Sequence, residues 1–110
     1  RSDQKAVEEI FSLYLKRIQW MNKKGIDQWN NNGYLHNFVT DLTEKGAGRE
    51  IIKAVEALAV NDHKERVAWT VPSTIHFLIS IMNQWGMRWQ EPAKMGGYEG
   101  NRREKYMALL

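Results

Sequence analysis

Gly46-Ala47-Gly48 leads directly into Arg49, the first residue of a segment with helical spacing. A helix start carries unpaired N–H groups and a partial positive charge, and glycines let a phosphate approach the backbone closely. With a strand before it, this junction would make a diphosphate cradle. The same three residues also read as a plain loop-to-helix turn. Trp29, inside the polar run Asp27 to Gly33, is either folded back onto the core or a wall of a ligand cleft.

Other chemistries are excluded by composition. The 110 residues include no cysteine, so disulfides, thiolate catalysis and cysteine-bound metal are ruled out. His36, His63 and His76 have no ligand spacing, so no metal site is expected. The longest apolar run, Ile75 to Met82, is interrupted by His76 and Ser80 and falls well short of the ~20 residues that span a bilayer. No secretory signal pattern is present, and a cytoplasmic protein that does not enter a membrane is expected. The net charge is +3, with a pI near 9.3. This mild basicity suits a phosphate-bearing ligand, although the cations form no dense stripe and nucleic acid is not the favoured partner.

The elements that must position these residues follow from periodicity. The length predicts a single domain over 1–110. Val7, Ile10, Phe11, Tyr14, Ile18 and Met21 predict a helix over 3–23, with Gly25 as its left-handed terminator. Residues 34–40 read as a strand or a short helix, because Phe38, Val39 and Thr40 favour extended backbone. Asp41 to Gly48 reads as a loop and Arg49 to Val60 as a helix. Val67, Trp69 and Val71 alternate like a half-buried strand that Pro72 ends. Ser73 can cap a buried helix over 74–85 that Gly86 closes. Residues 87–90 read as another short strand, and 94–101 as a turn-rich connection.

Thr43-Glu44-Lys45-Gly46-Ala47-Gly48, then Ile51-Ile52-Lys53-Ala54-Val55-Glu56, then Arg66-Val67-Ala68-Trp69-Thr70-Val71, fall in one order and at one spacing. In this the chain resembles the GNAT superfamily of N-acetyltransferases. Gly86-Met87, the Gly97-Tyr98-Glu99-Gly100 run and the upstream Trp20-Met21 and Gly25-Ile26-Asp27-Gln28-Trp29-Asn30 runs extend the similarity. The resemblance implies an α/β (α+β) fold, a helix-rich mixed sheet lacking its first strands, and therefore a truncated domain. A homodimer would cover the open sheet edge.

The resemblance also implies an acetyl-CoA-dependent N-acyltransferase acting on a small-molecule or peptide amine. Lys45, Gly46, Ala47, Gly48 and Arg49 would hold the cofactor diphosphate. His36 or Asp41 would take the proton from the amine. Tyr98 or Tyr106 would serve as acid, because the family's tyrosine is replaced by Met82. Trp29 and Tyr34 would wall the acceptor cleft. Thr43 stands where the family has Gln or Arg. The alternative is a mostly α small domain, non-catalytic and basic, binding a protein or nucleic-acid partner. In that reading residues 35–44 and 102–109 are helical, and Lys23, Lys24, Arg102 and Arg103 meet phosphates.

Overall fold

A computed structural model describes residues 4–26, 31–64 and 70–91. They form four helices: α1 (Gln4–Lys23), α2 (Asn31–Glu44), α3 (Arg49–Lys64) and α4 (Val71–Gln84). No strand occurs among the described residues. The α/β reading is therefore corrected to an all-helical one, and the open sheet edge that called for a homodimer disappears with it. The expected strand over 66–71 overlaps the described residues at Thr70 and Val71 alone, the N-cap and first residue of α4. The expected strand over 87–90 is irregular backbone that follows the turn closing α4. Residues 94–101 and the terminal run over 102–110 lie outside the described residues.

The segment over 34–40, open between strand and helix in the sequence, is part of α2. Val39 and Thr40 favour extended backbone, but Leu35, Phe38 and Leu42 recur at three- and four-residue spacing. On a helix these three fall on one face, and all three are buried. Val39 is only half-buried and Thr40 is exposed, so the residues that favour a strand carry little of the packing. Burial of one apolar face outweighs a β-propensity scale spanning about 1 kcal/mol.

α1 packs against α4 and α2, and α3 against α2 and α4, so each helix touches at least two others. α1 supplies the largest share of the core. Val7, Ile10, Phe11, Tyr14, Leu15, Ile18 and Met21 meet Leu35, Phe38 and Leu42 of α2, Ile51, Val55 and Leu58 of α3, and Leu78, Ile81 and Met82 of α4. An aromatic cluster joins α1 to α2. Phe38 stacks flat on Tyr14 at 4.4 Å between centroids and meets Phe11 edge-on at 5.0 Å.

Three helices end in the same way. The Ala47 N–H donates to Leu42 O at 3.0 Å and the Gly46 N–H to Thr43 O at 3.1 Å, the paired bonds of a Schellman motif. Gly46 occupies its left-handed position at φ 76°. Gly25 and Gly86 close α1 and α4 with equivalent bonds to Asn22 and Asn83. The start of α4 is set by Thr70 rather than Ser73. The Ser73 N–H donates to Thr70 Oγ1 at 3.1 Å, and the Thr70 N–H donates back to Ser73 Oγ at 3.0 Å. This reciprocal capping box, with Pro72 in the first turn, starts the helix at Val71, three residues earlier than the sequence predicts.

Phe38 is fully buried between α1 residues, so Phe38→Ala is expected to lower unfolding free energy by about 3–5 kcal/mol in urea titration. An effect below about 1 kcal/mol would mean that α2 does not pack on α1 in this register.

Candidate functional site

Asp41, a predicted base, sits on α2 one turn past Phe38. The Tyr14 hydroxyl donates to Asp41 Oδ2 at 2.6 Å. That length is typical of a hydroxyl bonded to a carboxylate, the stronger class of hydrogen bond. Tyr14 is 1% exposed, so its hydroxyl needs a partner inside the protein. The Arg17 guanidinium lies over the Tyr14 ring at 4.9 Å from its centroid, and the Tyr34 hydroxyl donates to Tyr14 O at 3.3 Å. Asp41 thereby supplies the acceptor that the buried Tyr14 phenol needs.

His36, the other predicted base, is exposed on the same helix. Five residues separate it from Asp41, which is about 140° around a helix of 3.6 residues per turn, so the two do not converge. Tyr34, predicted to wall an acceptor cleft, packs edge-on against Tyr14 at 5.4 Å and Phe38 at 5.9 Å. It belongs to the aromatic cluster. Trp29, Tyr98 and Tyr106 lie outside the described residues. Among the described residues no group of three His, Asp or Glu side chains is placed to hold a metal.

Lys45 to Arg49 form the turn between α2 and α3, a helix-to-helix junction where the sequence predicts strand to helix. Gly46 is there to end α2. Gly48 precedes α3, and its carbonyl accepts the Ile51 and Ile52 N–H groups, both at 3.1 Å. The Glu50 carboxylate folds back over Gly48, so that a Cβ added there would lie 2.6 Å from Glu50 Oε1. A carboxylate in the first turn suits the positive end of the helix. It also opposes a second anion at the same place. The cleft between two strands that the resemblance assigns to coenzyme A has no counterpart among the described residues.

Beside this turn lies an open groove of about 340 Å³, lined by Ala47, Arg49, Ile52, Lys53 and Glu56. Arg49 and Lys53 are exposed and one helical turn apart, and Lys45 is exposed at the preceding turn. This is the feature nearest the predicted cradle, shifted from the glycine backbone to the side chains of α3.

Sequence reasoning missed the polar residues on α1. Glu8, Ser12 and Arg17 are all buried. Gln4, Glu8, Ser12 and Lys16 follow one another at four-residue intervals, a polar stripe legible in the sequence, but their partners at 88–91 come from the far end of the described chain. No helix among the described residues is long and apolar enough to cross a membrane.

Tyr14→Phe is expected to destabilise by about 1.5–3 kcal/mol, and Asp41→Ala in the Tyr14→Phe background to add far less than it does alone. Independent, additive effects in denaturant titrations would break the pairing. Gly46→Ala is expected to cost about 1–2 kcal/mol of stability, the strain of a side chain in a left-handed position. A neutral substitution would remove the terminator role. Compared with known protein families, with characterised proteins and with solved structures, the chain matches none.

Proposed function

We propose that this chain is a non-catalytic, helix-rich basic module that binds nucleic acid through the groove at the start of α3. The observation that carries this reading is the pair of exposed cations, Arg49 and Lys53, lining an open groove with Lys45 on the adjoining turn. Phosphate backbones are bound by such cations with little demand on enclosure, because the attraction comes from charge and counterion release. The net charge of +3 acts in the same direction. Glu50 and Glu56 border the same face, which points to a few phosphate contacts and modest affinity.

The non-catalytic part of the reading is supported by the use of Asp41 as the partner of Tyr14 and by the separation of His36 from it. Acetyl-coenzyme A is the competing ligand, since the resemblance assigns its diphosphate to Lys45 and Arg49. A protein partner is the other competitor, with Ile79 and Trp89 as the large apolar residues exposed among those described.

Fluorescence anisotropy with a short labelled duplex and a labelled single strand tests the reading. Binding is expected to weaken linearly on a log–log plot against salt. Charge reversal at Arg49 and Lys53 should flatten the slope by about 0.9 for each duplex phosphate that is no longer neutralised. Salt-insensitive binding, or a double variant that binds as the parent does, would overturn it. Saturable heat with acetyl-coenzyme A that Arg49→Glu abolishes would instead assign the groove to the cofactor.

A further inference from the structure

After Gly86 the chain runs along α1 as a short strap, Met87 to Glu91. Its ties are polar. The Arg88 backbone N–H and its guanidinium charge both favour the ionised Glu8 carboxylate. The Gln90 N–H donates to Ser12 Oγ at 2.9 Å, and Gln90 Nε2 donates to Glu8 Oε1 at 2.9 Å. Lys16 Nζ meets Glu91 Oε2 at 3.0 Å.

The strap and the core are held by different forces. α4 is held on α1 by Leu78, Ile81 and Met82, all buried among apolar neighbours. Beyond Met87, which is buried, the strap contributes no apolar side chain to the core; Trp89 is 49% exposed. The Lys16–Glu91 pair is largely solvated and is worth little. The hold thus concentrates on Glu8, 7% exposed, and Ser12, fully buried. Gly86, at φ 63°, is the joint between the two regimes.

We propose that Met87–Glu91 is a latch, released from the Glu8–Ser12 stripe of α1 as a unit about Gly86 while the four helices stay folded. Release exposes a polar face of α1 that is covered in the closed state.

Glu8 makes the latch sensitive to acid. Burial raises its pKa. Hydrogen bonds from Gln4, Gln90 and the Arg88 backbone, together with the Arg88 charge, outweigh burial and hold the carboxyl below its ordinary range. Arg88 is the charge the strap brings to it. α4, packed on the same helix, carries one titratable side chain, His76, which is exposed. Because the folded pKa is depressed, the stabilisation is present above the ordinary carboxylate range and is lost as pH falls through the folded value.

Amide hydrogen exchange on the intact chain, read by NMR as protection factors, tests the latch. The Arg88 and Gln90 amides are expected to open more readily than those of Leu15, Val55 and Leu78, and increasingly so as pH falls. Glu8→Gln should lower their protection about tenfold or more, abolish the pH dependence, and leave the three core amides unchanged. Gln90→Ala, which leaves α1 intact, should act in the same direction, so the latch can be judged even if Glu8→Gln fails to fold. The proposal is overturned if the Arg88 and Gln90 amides exchange only together with the core amides, or if either folded variant leaves their protection unchanged.

Discussion

The rings of Tyr14 and Phe38 lie parallel, 4.4 Å apart, where α1 meets α2. Stacking Tyr14 there buries its hydroxyl as well as its ring, and a buried hydroxyl is costly without a partner. Asp41 supplies one from the next turn of α2 at 2.6 Å. A one-residue slip of α2 along α1 would break both interactions together, the stack and the hydrogen bond. The register of α2 is therefore specified by an apolar and a polar interaction that must be satisfied in one placement.

From that register the position of the groove follows. α2 ends at Gly46 because the Schellman bonds need a left-handed residue there, and α3 begins three residues later. Its exposed cations, Arg49 and Lys53, are thus set at a fixed distance from the aromatic cluster, on a rigid helix rather than on a loop. Ile51, Val55 and Leu58 face inward from the same helix, so the cationic face is turned out by the burial of the opposite one.

α1 is the helix that the other elements share. It meets α2 through aromatics, α4 through aliphatic side chains and the strap through polar ones. Few exposed turns remain, which is why Glu8, Ser12 and Arg17 are buried although their types favour the surface. The carboxylate among them keeps its charge because donors replace the water it lost.

Much of this was legible in residue order alone. The apolar spacing over 3–23 marks α1, that over 49–60 marks α3, and Gly25 marks the end of the first helix, because helical periodicity and left-handed termination are local properties. Two features were not local. Residues 34–40 carry a β-favouring pair inside a helical apolar pattern, and only packing of Leu35, Phe38 and Leu42 on α1 and α3 decides between them. Gly46-Ala47-Gly48 serves equally as a phosphate cradle or as a helix terminator, since both use glycine, one for close approach and the other for its left-handed backbone. The bond from Ala47 to Leu42 and the φ of Gly46 show the terminator. Likewise the sequence by itself places Tyr14 and Glu8 on a helix and Asp41 at the start of a loop, where the structure has α2, but a carboxylate takes its role from what the fold brings within hydrogen-bond reach. For Asp41 that is a phenol 27 residues away, and for Glu8 a glutamine 82 residues away.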